Sequence, residues 1–275
     1  MEITRKNKTF VIRQPEKSKG KKYMRKEDIL GIIPARYAST RFPGKPLADI
    51  NGKPMIQHVW EQVRKAITHV VVATDDERIL NAVKDFGGEA VMTSDRHQSG
   101  TDRCKEALDK IEKATGQSFQ VVVNIQGDEP FIQPDQLEKL SSCFHNVNTE
   151  IASLIKPLTT YEELFDPNRP KVVINHNAKA LYFSRSPIPF FRNLPEEEWH
   201  LNHDYYLHVG IYAYRCDILR EITLLERSSL EKAESLEQLR WLQNGYNIST
   251  RKTEFESWGI DTPEDIELLK QKGIL

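Results

Sequence analysis

The chain has 275 residues, 39% of them hydrophobic and 29% charged, and a net charge of −1, which suits one large globular domain or two small ones. No apolar run reaches the roughly 18 residues of a membrane span, and the N-terminus lacks the apolar stretch of a secretory signal. The three cysteines form neither a disulfide framework nor a metal motif, so we expect reduced thiols of a cytoplasmic protein at Cys104, Cys143 and Cys216.

The charge is unevenly distributed along the chain. Residues 1–26 hold ten basic and two acidic side chains, so the net value of −1 combines a basic leader with an acidic remainder. Residues 1–28 also lack apolar periodicity, which predicts a basic, disordered extension ahead of a single domain over residues 29–275. The alternative is that this leader binds nucleic acid or an anionic surface. We expect a solvated tail and no nucleic-acid partner.

The first half of the predicted domain alternates short apolar runs with amphipathic segments. The apolar runs predict strands, and the segments with apolar residues at helical spacing predict helices. The predicted strands are 29–33, 70–73, 90–92 and 120–125, and the predicted helices are 54–66, 76–86 and 101–114. Strands that alternate with helices in units of about 30 residues indicate an α/β fold with a mostly parallel sheet.

The second half is less regular. Its predicted strands are 151–155, 171–174, 180–184 and 207–214, and its predicted helices are 230–244 and 262–272. For the last helix, the pattern places Asp261 at the N-cap and Pro263 in the first turn. Residues 180–215 are predicted to form an insertion in the single domain that serves as a lid or a dimerisation arm.

The loop after the first strand carries three cations on a glycine-containing segment, namely Arg36, Arg41 and Lys45. Ligands of open α/β sheets bind beyond the carboxyl ends of strands, and arginine and lysine suit the oxygens of a polyphosphate. Gly44 permits close approach of the backbone, and Ser39 and Thr40 add hydroxyl donors. The loop has neither the GxxxxGK[ST] nor the GxGxxG pattern. The alternative is a basic surface loop without a ligand.

As a pattern, this loop is Ala35-Arg36-x-x-Ser39-x-Arg41-x-x-x-Lys45-x-Leu47. It resembles the signature loop of sugar nucleotidyltransferases that use CTP, and residues 33–41 resemble the 3-deoxy-manno-octulosonate (Kdo) cytidylyltransferases in particular. The resemblance continues, in that family's order, through residues 72–75, 97–103, 126–130, 182–185, 208–212, 236–240 and 259–265. It extends over about nine-tenths of the chain, from residue 29 onwards.

The resemblance implies a fold, a reaction and a partner. The fold is a three-layer nucleotide-diphospho-sugar transferase-like α/β fold. The reaction is transfer of CMP from CTP to the anomeric hydroxyl of Kdo, which releases pyrophosphate and yields CMP-Kdo for lipopolysaccharide biosynthesis. Family members are typically homodimers of the bacterial cytoplasm. Alternative acceptors are an 8-amino form of Kdo or a sialic acid, because the sequence does not distinguish these sugar acids.

The resemblance also implies roles for individual residues. Arg36, Arg41 and Lys45 would contact the phosphates of CTP, and the rest of the nucleotide would lie near Ala35, Ala73, Thr74 and Gln126. Asp128 and Asp261 would bind Mg²⁺, which prefers one or two carboxylates together with substrate phosphates. The carboxylate of Kdo would meet Arg185, and its hydroxyls would meet His208, Tyr212, Glu237 and Gln238. No side chain stands out as a general base.

Overall fold

The computed structural model describes residues 24–38, 41–255 and 259–273. Residues 1–23 of the predicted extension therefore lie outside the described residues. Lys26–Asp28 form a 3₁₀ turn in which the Arg25 N–H donates to the buried Asp28 carboxylate (2.9 Å). The folded part of the chain thus includes residues just ahead of the predicted boundary at 29.

The strands and helices are numbered in chain order. The strands are β1 (Ile29–Ala35), β2 (Asp49–Ile50), β3 (Lys53–Pro54), β4 (His69–Thr74), β5 (Glu89–Met92), β6 (Val121–Asn124), β7 (Ile151–Pro157), β8 (Lys171–Ile174), β9 (Ala180–Ser184), β10 (Tyr206–Arg215) and β11 (Ile248–Lys252). The helices are α1 (Met55–Arg64), α2 (Glu77–Asp85), α3 (Gly100–Thr115), α4 (Pro134–Ser142), α5 (Tyr161–Phe165), α6 (Trp199–Asn202), α7 (Cys216–Ile222), α8 (Ser229–Glu234), α9 (Gln238–Gln243) and α10 (Pro263–Gln271).

One sheet organises the molecule, in the strand order β11-β7-β10-β6-β1-β4-β5, with β8 paired to β10 and β9 to β8. β1 runs parallel to both β4 and β6, and β4 runs parallel to β5. β10 runs antiparallel to its neighbours β6 and β7. The predicted α/β class is confirmed, and the half of the sheet around β1 is the parallel half.

Apolar side chains cover both faces of this sheet. Along β1, Ile29 and Ile33 pack on the face that α1, α2 and α4 cover, whereas Leu30 and Ile32 pack on the face that α3, α7 and α9 cover. This alternation follows from the two-residue period of a strand. It confirms the three-layer arrangement, and it accounts for the nearly continuous apolar run of β1, which is buried on both faces.

The predicted helix over 230–244 is two helices. α8 ends at Glu234, the next residue Ser235 has a left-handed φ of 53°, and α9 starts at Gln238. Because a left-handed residue cannot continue a right-handed helix, the apolar spacing spans a turn between two helices. Sequence reasoning also missed α4, α7 and the edge strand β11, which pairs in parallel with β7.

The insertion predicted over residues 180–215 is shorter in the structure. β9 and β10 both belong to the sheet, in which β10 lies between β7 and β6, and its residues from Ile211 to Tyr214 are all buried. Only the segment between them, residues 185–205, leaves the sheet. This excursion packs Trp199 and Tyr205 in a small apolar cluster with Leu158 and Leu164.

The remaining sequence expectations concern the thiols and the membrane. All three cysteines are free and buried, as expected. Every helix in the described ranges falls short of a membrane span in length or in apolar character.

Candidate active site

A cleft of about 300 Å³ opens at the carboxyl ends of β1 and β6. It is lined by Pro34, Ala35, Arg36, Arg41, Lys45, Pro46, His97, Gln98, Ser99, Gly100, Arg103, Gln126, Gly127, Asp128 and Asp261. All five residues predicted as catalytic are in this set, although they come from three distant parts of the chain. Parallel strands bring their carboxyl ends to one edge, which is where ligands bind in α/β sheets.

Lys45 joins the two predicted metal ligands. Its Nζ lies 2.6 Å from Asp128 Oδ2 and 3.1 Å from Asp261 Oδ1, and its side chain is only 14% exposed. Arg41 Nη2 contacts the second oxygen of Asp261 at 3.1 Å. Lys45 was predicted to face phosphates, but in this structure the two carboxylates hold its ammonium group.

The loop that carries Lys45 is fixed by its backbone. Gly44 has a left-handed φ of 73°, and its N–H donates to the Tyr37 carbonyl (3.0 Å). A Cβ at position 44 would approach the Tyr37 ring to 3.1 Å, and the guanidinium of Arg78 lies 3.3 Å from the centre of that ring. Glycine is therefore favoured at position 44 by its backbone conformation, and the space beside the Tyr37 ring is tight. Ser39 and Thr40, the predicted hydroxyl donors, lie outside the described residues.

The two aspartates are brought together by a contact between their backbones. The Ile260 N–H donates to the Asp128 carbonyl (2.9 Å), which places the chain before α10 beside the chain after β6. Gly127 lets the chain after β6 lie close to β1, because a Cβ there would lie 2.8 Å from the Pro34 carbonyl oxygen. The arrangement thus depends on a residue type without a side chain at position 127.

The predicted N-cap at Asp261 is wrong. The N-cap of α10 is Thr262, and the Asp265 carboxylate accepts from the N–H groups of both Asp261 and Thr262 (2.8 Å each). A carboxylate in the first turn can satisfy these free donors as well as a cap can. The Asp261 side chain is therefore released from capping and is free to bind Lys45 and Arg41.

The start of α3 forms another wall of the cleft, and sequence reasoning did not assign it to the site. Ser99 caps α3 by accepting from the Asp102 N–H, and His97 is held by the carboxylate of Glu106. Arg103 is buried and donates to Asp75 (2.7 Å) and to Thr93 (2.6 Å). The Ser99-x-x-Asp102 pattern before an amphipathic segment was the available signal.

Ala73 and Thr74, predicted near CTP, are not among the residues that line this cleft. Both are fully buried at the end of β4, in register with Pro34 and Ala35 of β1. The Thr74 carbonyl accepts from the N–H (2.7 Å) and the hydroxyl (3.1 Å) of Thr93. Their backbone groups are therefore occupied by strand pairing and by Thr93.

Four of the five predicted Kdo contacts form a separate cluster. The ring of Tyr212 lies 5.3 Å from the ring of His208 and 5.0 Å from the ring of Trp241. Trp241 belongs to α9, the helix that begins with Gln238. The Tyr212 hydroxyl and the Gln238 amide nitrogen are buried without a hydrogen-bond partner among the described residues. Buried polar atoms without partners are costly, and such a cluster suits a polar ligand.

Glu237 joins this cluster to the start of α3. It accepts a hydrogen bond from the Thr101 hydroxyl (2.9 Å) and lines a second cleft, which shares His97, Gln98 and Ser99 with the first. Burial raises the pKa of Glu237, although the hydrogen bond from Thr101 opposes this effect. The two clefts are therefore neighbours across α3.

His208 is a neutral imidazole in this environment. Burial lowers its pKa to about 3, and its Nε2 lies 3.0 Å from the Ser153 hydroxyl. The Ser153 hydroxyl also faces the carbonyls of Val209 and Ile211, at 3.2 and 3.0 Å. His208 can therefore exchange a hydrogen bond with a ligand but cannot supply a positive charge near neutral pH.

Arg185 and Gln126 link the parts of the site. Arg185 lines neither cleft, but it follows β9, whose Phe183 ring lies 5.0 Å from the His208 ring. Gln126 lines the first cleft and its amide donates to the Gly210 carbonyl (3.4 Å), between His208 and Tyr212 on β10. Gln126 therefore touches the strand that carries the second cluster.

Comparison with known proteins shows to which class of protein this chain belongs. The chain matches the family described as cytidylyltransferase over residues 30–253. It shares its fold with a cytidylyltransferase structure from Leptospira borgpetersenii, at 17% identity over 88% of this chain and 85% of that one, with a TM-score of 0.56. The fold is thus that of a nucleotidyltransferase.

More similar proteins narrow the class. A 3-deoxy-manno-octulosonate cytidylyltransferase of Parabacteroides distasonis is 60% identical over 86% of this chain and 95% of its own. One from Bacteroides thetaiotaomicron is 60% identical over 89% and 99%. A solved CMP:2-keto-3-deoxy-manno-octonic acid synthetase in complex with CTP is 43% identical, with a TM-score of 0.81 over 90% of this chain and 98% of that one. The chain belongs to the 3-deoxy-manno-octulosonate cytidylyltransferase family.

Proposed function

We propose that this protein transfers CMP from CTP to the anomeric hydroxyl of Kdo and releases pyrophosphate, which supplies CMP-Kdo to lipopolysaccharide biosynthesis. The observation that carries the proposal is the convergence of Arg36, Arg41 and Lys45 with two carboxylates in one cleft beside β1. The names of relatives 46–60% identical to this chain support it, as does the CTP complex of the solved relative.

The first cleft would hold the triphosphate. The guanidinium groups of Arg36 and Arg41 suit phosphate oxygens, and both side chains are exposed in the cleft. The N-terminus of the 16-residue helix α3 also faces it, and free N–H groups there favour an anion. Stabilisation of the departing pyrophosphate by these cations would lower the barrier without proton transfer by a side chain.

Asp128 and Asp261 fit a magnesium ion. Their oxygens already share one cation, the Lys45 ammonium group, which shows that the pair can surround a positive charge. No three His, Cys, Asp or Glu side chains of the described residues form a metal cluster, so phosphates would have to complete the coordination, as Mg²⁺ prefers. Bound Mg²⁺ would supply charge neutralisation at the phosphates.

Two substitutions test this metal assignment. We expect Asp128→Asn and Asp261→Asn each to remove most of the turnover and to weaken Mn²⁺ binding in the presence of CTP, because each loses an anionic ligand. Mn²⁺ binding is read by electron paramagnetic resonance, and urea unfolding shows whether the variants stay folded. A folded variant with near-normal turnover and Mn²⁺ affinity would remove that aspartate from the site.

The second cluster would bind the sugar acid. Arg185 suits the carboxylate of Kdo, and the unpartnered Tyr212 hydroxyl and Gln238 amide suit its hydroxyls. His208 and Glu237 add further polar groups, and Gln126 lies between this cluster and the first cleft.

We further propose a homodimer in the cytoplasm. Phe190 and Leu201, on the excursion over 185–205, are 74% and 73% exposed. Exposed apolar side chains on one segment favour a protein contact. The three free thiols agree with a reducing compartment.

Pyrophosphate release tests the function directly. The purified protein, Mg²⁺ and CTP are combined with Kdo, its 8-amino form or a sialic acid, and pyrophosphate is measured with a coupled enzyme. We expect the highest kcat/KM with Kdo. Absence of turnover with Kdo would overturn the proposal, and faster turnover with another sugar acid would select the alternative acceptor.

A further inference from the structure

Glu234 joins two parts of the proposed sugar site that are far apart in sequence. Its carboxylate accepts from the Ser184 hydroxyl (2.6 Å) and from the Arg185 N–H (2.9 Å). Its backbone carbonyl accepts from Arg185 Nε (2.8 Å). Three hydrogen bonds thus attach one residue at the end of α8 to the end of β9.

These bonds orient Arg185 without neutralising it. Its Nε and Nη1 donate to backbone carbonyls, those of Glu234 and Pro167 (2.9 Å). Within the described ranges, no carboxylate forms an ion pair with its guanidinium. The Glu234 carboxylate accepts from the backbone of Arg185 instead. The positive charge is therefore held in place and left for an anionic ligand.

Glu234 also stands directly before the turn that leads to the hydroxyl-binding residues. Ser235 follows it with a left-handed φ of 53° and ψ of 45°. The chain then reaches Glu237 and Gln238, at the start of α9. A non-glycine residue in this conformation persists only where its surroundings determine it, and the bonds of Glu234 fix the residue just before it.

We propose that Glu234 is a positioning residue of the sugar site, which sets the spacing between Arg185 and the pair Glu237 and Gln238. The inference rests on the proposed function, because it takes these three residues to bind a sugar acid. An acid with a carboxylate at one end and hydroxyls along its length is recognised only if both groups of contacts keep their separation. Glu234 itself lines neither cleft and would act through Arg185 and the start of α9.

Steady-state kinetics of pyrophosphate release test the proposal with Glu234→Ala and Glu234→Gln. For Glu234→Ala, we expect KM for Kdo to rise about tenfold or more, with KM for CTP within about twofold of the wild type. Glu234→Gln keeps one acceptor oxygen, and we expect a smaller rise. Ser184→Ala removes the hydrogen bond that the hydroxyl donates to Glu234 and the one it accepts from the Ser186 N–H, and it should also raise KM for Kdo selectively.

Glu150→Ala is the matched control. Glu150 also accepts from a backbone N–H distant in sequence, that of Asn247 (2.9 Å), but beside the first residue of β7 and away from both clefts. We expect both KM values to stay unchanged. If Glu234→Ala leaves KM for Kdo unchanged, or raises both KM values equally, the inference is wrong while the proposed function stands. Absence of wild-type turnover with Kdo overturns both.

If Glu234→Ala does not fold, Glu234→Gln and Ser184→Ala decide the matter. Each is checked by its urea unfolding midpoint before the kinetics are measured. A selective rise in KM for Kdo in these folded variants supports the positioning role. Unchanged KM for Kdo in both of them overturns it.

Discussion

Lys45 forms ion pairs with both aspartates of the first cleft. Its ammonium group lies between Asp128 and Asp261, where two carboxylates would otherwise repel each other. Because a lysine is a point charge with rotatable donors, it can leave the carboxylates for phosphates without a change in the backbone. The same side chain can therefore bind the two carboxylates or the phosphates of a nucleotide.

Replacement of Lys45 by methionine should separate these two roles. We expect Lys45→Met to bind Mn²⁺ more tightly than the wild type in the absence of CTP, because the cation that competes for the carboxylates is gone. We expect KM for CTP to rise about tenfold or more, because a phosphate contact is lost. Electron paramagnetic resonance and steady-state kinetics measure the two effects. Lys53→Met, which loses only the pair with Glu61, is the control. An unchanged Mn²⁺ affinity would contradict competition by Lys45.

The lowered pKa of His208 predicts a loss of stability in acid. Its pKa is about 3 in the folded chain against 6.5 for the free side chain. Between these values the unfolded chain binds the extra proton, so stability falls as the pH falls from 6.5 towards 3, by at most about 1.4 kcal/mol per pH unit. Urea unfolding at pH 7 and pH 5 measures the change.

His208→Gln should show a smaller loss of stability between the two pH values than the wild type does. His145 lies on the surface, so His145→Gln serves as the control and should retain the wild-type dependence. An equal pH dependence in His208→Gln and the wild type would show that folding does not lower the pKa of His208.

Among the strands and helices, the structure explains which ones could be predicted from the sequence and which could not. Strands such as β1 and β4 are buried on both faces and read as short apolar runs, so their existence and class followed from the pattern. β11 escaped prediction because only two of its five residues are fully buried and it depends on pairing with the distant β7. Local spacing could not show the left-handed turn at Ser235 that divides α8 from α9.

The same reasoning applies to the candidate site. Arg36, Arg41 and Lys45 share one loop after a strand, so their convergence could be predicted from local sequence. Asp128 and Asp261 reach them through a backbone contact 132 residues apart, between the Ile260 N–H and the Asp128 carbonyl, and only the family resemblance indicated that. Arg103 was missed because its pairing with Asp75 joins residues 28 apart in sequence, which local spacing does not show.

Substitution of Gly127 tests how closely the loop that carries Asp128 must pack against β1 for turnover. In Gly127→Ala the new Cβ would lie 2.8 Å from the Pro34 carbonyl, so either β1 or the Asp128 loop must move. We expect turnover to fall at least about tenfold, since a displacement near 1 Å at a reacting centre is costly. Gly116→Ala is the control, because Gly116 has a left-handed φ but open space around it, and should lose stability without losing turnover. Normal turnover in Gly127→Ala would contradict this tight fit.

On the scale of the whole molecule, the excursion over 185–205 predicts the oligomeric state. If Phe190 and Leu201 meet a second copy of the chain, Phe190→Ser combined with Leu201→Ser should shift the protein from dimer to monomer in sedimentation velocity. Leu224→Ser changes an equally exposed apolar residue elsewhere and should leave the dimer intact. A dimeric double variant would place the interface on another surface, and a monomeric wild type would overturn the proposed homodimer.

The hydrogen bond from Gln126 to the Gly210 carbonyl has a thermodynamic consequence. The register of β10 against β7 shifts between Val209 and Tyr212, and the Gln126 amide meets β10 within that interval. A ligand that immobilises the Gln126 amide in the first cleft therefore also restrains the strand that carries His208 and Tyr212. By linkage, such an effect is mutual. If bound nucleotide changes the dissociation constant of the sugar acid by some factor, bound sugar acid changes the dissociation constant of the nucleotide by the same factor.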